Sequence, residues 1–139
     1  MDIIKRNTDY ALRLLYELVK LYGKNRPVPA RQLSSELFIP YPITCKLLQK
    51  LQNKKIVASV MGPKGGYILA RPPSKLSFHE VIEAIQGPIQ MNRCFLDRFQ
   101  CPRKERCPLR KKLAKIQSEI LSALKDTTLE EFQDKEREE

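Results

Sequence analysis

Apolar positions recur at helical spacing through the N-terminal half of the chain. In NTDYALRLLYELVKLYG they fall at Tyr10, Ala11, Leu14, Leu15, Leu18, Val19 and Tyr22, a stripe along one face of a helix. Asn7 or Thr8 stands where a cap belongs, and Gly23 where the helix should stop. PVPARQLSSELFIP predicts a short helix with Leu33 and Leu37 turned inward. Pro40 and Pro42 then restart the chain, because proline is tolerated in a first helical turn. The next helix, about Pro42 to Asn53, turns Ile43, Leu47, Leu48 and Leu51 to the core, with Cys45, Lys46, Gln49 and Lys50 mostly on the other side. Two short helices with a tight joint are a helix-turn-helix candidate.

The period then drops towards two. In KIVASVMGPKGGYILARP, apolar Ile56, Ala58 and Val60 alternate with Val57, Ser59 and Met61, and YILA returns after a glycine-rich turn. This predicts a β-hairpin with Lys64 and Gly65 at its tip. A helix-turn-helix followed by such a hairpin is a winged helix, so the expected fold is mainly α with a small β wing. The arrangement suits DNA: a helix fills the major groove, and a slim glycine tip lets backbone approach a phosphate. The residues expected to meet DNA are Pro42, Cys45, Lys46, Gln49 and Lys50 on the helix, and Ser59, Lys64 and Gly65 on the wing. The glycines are not a nucleotide loop, since no helix opens after them and the G-x-x-x-x-G-K-S/T spacing is missing.

LSFHEVIEAIQG predicts a further helix, with Ser77 as cap and Glu80 as its capping-box partner. After the cysteine-bearing stretch, PLRKKLAKIQSEILSALKDT repeats apolar residues every three or four positions, at Leu109, Leu113, Ile116, Ile120, Leu121 and Leu124. Little of the chain is left to bury that stripe, so its expected partner is the same helix of a second subunit. The expected organisation is a DNA-binding winged helix over 1–88, a cysteine loop over 89–108, a dimerisation helix over 109–126 and an acidic tail over 127–139, frayed after Phe132.

Charge sharpens this reading. The chain of 139 residues carries 26 Lys and Arg against 16 Asp and Glu, a net charge of +10. The last thirteen residues, from Thr127, hold two bases and six acids, which leaves +14 on residues 1–126. That excess suits a polyanion. No apolar run approaches the roughly 20 residues of a membrane span, and no signal peptide is visible, so a cytoplasmic protein without a membrane partner is expected. No Ser-His-Asp set, carboxylate pair or phosphate loop argues for an enzyme.

In the cytosol disulfides are rare, and clustered thiols more often serve metal or redox chemistry. CFLDRFQCPRKERC, from Cys94 to Cys107, holds three cysteines among four Arg and Lys. Six residues separate Cys94 from Cys101, and five separate Cys101 from Cys107, wider gaps than those of a zinc ribbon. Thiolates are soft ligands for iron–sulfur clusters, zinc or copper(I), and longer spans fit a loop wrapped around a larger inorganic core. Zinc and redox-switch thiols remain open on these residues alone. The few apolar residues of the loop, Phe95, Leu96 and Phe99, are too few to hold it without what the thiols bind.

Taken in order, TDYALRLLYEL, VPARQLSSEL, IPYPITCKLLQKLQNKKIVAS, GPKGGYILARPPSKLSFHEVIEAIQG, the three cysteines and TLEEF resemble the Rrf2 family of bacterial winged-helix transcription regulators, the relatives of IscR and NsrR. The resemblance runs to Phe132. It implies a homodimer with a long crossing helix, palindromic operator DNA, and an iron–sulfur cluster on Cys94, Cys101 and Cys107. In IscR-like members a histidine three residues past the third cysteine completes the ligand set; Arg110 stands there and cannot ligate. NsrR-like members offer an aspartate from the other subunit, and Asp9 stands at that place, which points to 4Fe–4S over 2Fe–2S. By itself Asp9 reads as a first-turn helix acid favoured by the helix dipole. His79, the single histidine, begins a helix and reads as a surface or capping residue. Met61 replaces a usual wing arginine, and Cys45 replaces a base-reading residue, which implies a different operator. The expected function is a repressor whose DNA affinity depends on a cluster sensing nitric oxide, redox or iron status. A metal-independent or thiol-switch regulator is the alternative, and a small electron-transfer protein would have no use for the winged helix.

Overall fold

The computed structural model describes residues 2–95 and 100–134. In chain order they form α1 (Arg6–Lys20), α2 (Ala30–Leu37), α3 (Tyr41–Asn53), β1 (Val57–Val60), β2 (Gly66–Leu69), α4 (Phe78–Gln86), α5 (Pro108–Asp126) and α6 (Glu131–Asp134). The α1 stripe is buried at Ala11, Leu14, Leu15, Leu18 and Val19. Its start differs from the sequence expectation: Lys5 is the capping position and makes no side-chain cap bond. Gln86, at the end of α4, does that work from far along the chain. Its Oε1 accepts from Lys5 N at 3.1 Å and from the buried Thr8 hydroxyl at 2.7 Å, while its Nε2 donates to Ile3 O at 2.9 Å. Tyr22 lies beyond the end of α1 and is exposed, so the expected stripe is one position too long.

The joint between α2 and α3 is held by one serine. Ser34 Oγ donates to Ile39 O at 2.5 Å, and Ile39 N donates to Ser34 O at 3.1 Å. Between them Phe38 takes a left-handed backbone, φ 55°, with its ring 92% exposed. Pro40 precedes α3 and Pro42 sits in its first turn. Leu33, Leu47, Leu48 and Leu51 pack into the core, while Leu37 and Ile43 are partly buried against it.

β1 and β2 pair antiparallel in the register Val57↔Leu69, Ala58↔Ile68, Ser59↔Tyr67, Val60↔Gly66. The expected alternation of faces does not hold. Ile56 and Val57 are both buried and Val60 is exposed, because burial along this projecting ribbon falls with distance from the core. Val28 adds a short third pairing, donating to Tyr67 O at 3.0 Å and accepting from Tyr67 N at 2.8 Å. Only glycine fits beside it: a Cβ on Gly66 would lie 2.4 Å from the Val28 carbonyl carbon.

Ser77 caps α4, its Oγ accepting from Glu80 N at 3.1 Å. The other half of the capping box is diverted, because the Glu80 carboxylate pairs with the Arg71 guanidinium. The chain then returns after α5: Leu129 is fully buried, its N–H donating to Leu76 O at 2.9 Å. Phe132 sets its ring 5.1 Å from Tyr16 and 5.5 Å from Phe78. The composition of TLEEF gave no sign of that anchoring. By contrast α5 buries no residue in the single chain; Leu109 is 62% exposed and Ile116 44%. Among the described residues no helix is long and apolar enough to cross a membrane.

Candidate DNA interface and thiol cavity

α3 follows directly on a tight joint, so its outer face is free once Leu47, Leu48 and Leu51 are buried. Pro42, Lys46 and Gln49 are exposed there, and Cys45 and Lys50 are half-buried. The first turn carries an unexpected cluster. The Arg31 guanidinium from α2 lies 4.3 Å from the centre of the Tyr41 ring, a cation–π arrangement. A hydrogen bond with the Cys45 side chain raises the Tyr41 hydroxyl above its ordinary pKa, and the Cys45 charge acts the same way, against the attraction of Arg31.

The wing tip closes with Gly65 N donating to Gly62 O at 3.0 Å, which presents Pro63 and Lys64 to solvent. A Cβ on Gly65 would sit 2.1 Å from Val60 O, so the tip tolerates no side chain there. Ser59 is exposed and accepts from Gln52 Nε2 at 3.2 Å, tying the wing to the end of α3. Met61, beside the tip, is 90% exposed. Phe38, unlike Met61, did not stand out in the sequence.

The second feature lies at the other end of the chain. Cys94, Cys101 and Cys107 are free thiols, each half-buried. Six and five residues apart in sequence, they line one cavity of about 240 Å³ together with Asn92, Lys104, Leu109 and Arg110. Cys107 also stands at the residue just before α5, where its side chain makes no cap bond. The cysteine loop is tied to the middle of that helix by Gln117, whose Oε1 accepts from Met91 N at 2.8 Å and whose Nε2 donates to Gln90 Oε1 at 3.3 Å. Among the described residues, no three of His, Cys, Asp and Glu converge tightly enough to grip a single metal ion. By type, three soft thiols around one cavity, with Lys104 and Arg110 to offset anionic charge, are donors that a polynuclear thiophilic group could take. Leu96 and Phe99, expected to pad this loop, lie outside the described residues.

Asp9 is not part of that cavity lining. It lies on the outer side of α1, half-exposed, paired with Arg13 Nη2 at 2.9 Å. His79 is likewise elsewhere: its Nε2 lies 3.4 Å from Glu83 Oε1 on α4.

Comparison with known proteins bears on the family and the fold. A family model described as Rrf2, iron-dependent transcriptional regulator, matches residues 4–135. The HTH-type transcriptional regulator IscR of Vibrio atlanticus is 32% identical over 123 residues, covering 88% of this chain and 70% of the relative. A putative HTH-type transcriptional regulator of Aquifex aeolicus is 28% identical over 125 residues, covering 88% of this chain and 85% of the relative. Among solved structures, CymR, the global cysteine regulator of B. subtilis, matches with a TM-score of 0.76 at 25% identity, covering 94% of this chain and 95% of that one. T. potens IscR shares the fold, with a TM-score of 0.76 at 21% identity, covering 95% of this chain and 86% of that one. With these relatives all regulators rather than enzymes, the chain belongs to the Rrf2 family of DNA-binding transcriptional regulators.

Proposed function

We propose that this chain acts in the cytoplasm as a homodimeric repressor whose affinity for a palindromic operator is set by an iron–sulfur cluster on Cys94, Cys101 and Cys107. The observation that carries the reading is the shared cavity of the three thiols at the start of a helix with an open apolar stripe. When bound, the cluster supplies a site that small oxidants or nitric oxide can attack. The rest follows from the chain's own residues. Cys107 immediately precedes α5, so a change in how its thiolate is held is felt at the first turn of the dimer helix. Gln117 passes the same strain from the loop to the helix middle. Leu109, Leu113, Ile116, Ile120 and Leu124 face the partner, and a shift of their seam alters the spacing of the two α3 helices. Ligand and DNA are then coupled through the half-site separation.

Pro42, Cys45, Lys46, Gln49 and Lys50 meet the major groove, and Ser59, Lys64 and Gly65 the flanking backbone. Asp9 from the partner subunit supplies an oxygen ligand, which favours 4Fe–4S over 2Fe–2S; its position on the open side of α1 leaves it free to leave Arg13 for another chain. The test is iron and sulfide per dimer, with visible absorbance, for anaerobically purified protein. Wild type should carry both. Replacing Cys94, Cys101 or Cys107 by Ala should abolish stable binding, since three anchors are already the minimum. Cys45→Ala should leave the cluster intact, because that thiol lies on α3 with Tyr41. A colourless, iron-free wild type that still regulates DNA binding would establish the metal-independent, thiol-based alternative instead.

A further inference from the structure

The thiol cavity contains one group that cysteine ligation does not account for. Arg110, in the first turn of α5, lines it beside Cys94, Cys101 and Cys107. Its Nε is buried and, among the described residues, has no hydrogen-bond partner. The guanidinium carbon lies 5.5 Å from the centre of the Phe95 ring, so an aromatic face borders it on one side. A buried donor left without an acceptor is costly, and more so on a charged group, so each such case in a native protein calls for a missing partner. Arginine donates only and stays protonated, so the missing partner must be an acceptor, and an anionic one fits best. Lys104 lines the same cavity but is exposed, and its ammonium has water for a partner.

We propose that Arg110 is a positioning residue for the cluster: its Nε–H donates a hydrogen bond to a sulfur, either of the inorganic core or of one cysteine thiolate. This rests on the cluster reading above. Arg110 cannot bond iron, so it works on the electron-rich sulfur instead. A charged donor there draws negative charge off the sulfur, favours the reduced state and holds the core against its ligands. Phe95 keeps the guanidinium plane in place and water away from one side of it.

The test compares wild type with Arg110→Met, Arg110→Gln and Arg110→Lys, all loaded anaerobically. Arg110→Met keeps a long stem against Phe95 and removes donor and charge; Arg110→Gln keeps a donor without charge; Arg110→Lys keeps charge without the planar N–H. Three readouts apply: iron loss to a chelator, the reduction midpoint, and the shift of the iron–sulfur stretching bands on exchange into deuterium oxide. Arg110→Met should lose iron about 10–100-fold faster, the range for outer-shell partners of metal ligands. Its midpoint should fall, and its deuterium shift should shrink. Arg110→Gln should retain part of the deuterium shift but not the midpoint, and Arg110→Lys part of the midpoint. If Arg110→Met and Arg110→Gln both match wild type in all three, Arg110 has no such bond while the cluster reading stands. If wild type itself takes up no iron or sulfide, the cluster reading falls and this proposal falls with it.

Discussion

Ile116→Asp tests whether α5 is a dimer helix. In the single chain 44% of Ile116 is open to water and no residue of α5 is buried. Full burial of an isoleucine is worth about 1.5–3 kcal/mol, so the open part leaves about 1 kcal/mol per subunit for the partner to supply. An aspartate in an apolar seam escapes by taking up a proton, which at neutral pH caps its cost at about 4 kcal/mol. At a seam with water near its edges about half of that is realistic, or about 2 kcal/mol. Each subunit then loses about 3 kcal/mol and the symmetric pair about 6, which at 1.4 kcal/mol per decade weakens dimerisation by about four orders of magnitude. A nanomolar dimer would become one of roughly ten micromolar. Sedimentation velocity at about one micromolar should show Ile116→Asp mainly as monomer, with helix content by circular dichroism preserved because the protomer core does not use this face. Ile116→Ala loses only the apolar share and should remain a dimer there. An intact dimer for Ile116→Asp under these conditions would refute the interface.

Three other outcomes follow from the same geometry. Lys64→Ala, at the exposed wing tip, should weaken binding equally on all DNA sequences and lower the salt slope by about 1; if Lys46, Gln49 and Lys64 can all become Ala without loss of operator affinity, the winged helix is not the DNA-binding element. Asp9→Ala removes an exposed pair with Arg13 whose value for folding is about 0.3–0.5 kcal/mol, so the melting temperature should hardly move. Iron loss or the rate of reaction with nitric oxide should nevertheless rise, and an unchanged cluster would leave Asp9 as a helix acid and nothing more. Gly65→Ala forces a Cβ to 2.1 Å from Val60 O, whereas a Cβ on Gly23 meets nothing and is opposed only by its φ of +83°. Urea titration should show Gly65→Ala costing more than the roughly 1–2 kcal/mol set by a left-handed backbone at Gly23→Ala, and the reverse order would mean that the tip relaxes freely.

Much of the fold was legible because its signals are local and repeated. The α1, α3 and α5 stripes each put several residues on one face, and a single misplaced position such as Tyr22 does not spoil them. The glycine tip was legible for a related reason, since a turn with Cβ atoms excluded leaves its mark in residue type. What was not legible depends on partners far away in sequence. Asn7 and Thr8 looked like caps, yet Gln86, far along the chain, serves that end. Glu80 looked like half of a capping box, yet Arg71 claims its carboxylate. Ile56, Ala58 and Val60 alternated like one face of a sheet, but a two-stranded ribbon leaving the core buries by depth rather than by face.

The cavity shows both sides of this. Spacing alone drew attention to three cysteines but left zinc, copper and redox switching open, because loop spacing constrains reach and not convergence. Their convergence on one cavity depends on a fold that returns Cys94 to the start of α5, where Cys107 and Arg110 are only three positions apart. In the sequence Arg110 counted only as a residue unable to ligate iron. Its buried Nε, without a partner among the described residues, is the ground for the proposed role, because a donor beside three thiols can address the sulfur that a ligand would leave alone. A fourth ligand from the partner subunit and a donor from this one are therefore compatible, and the two act on different atoms of the same group. Losing the donor should change how readily electrons enter, and losing the partner's oxygen should change how readily a small molecule reaches iron.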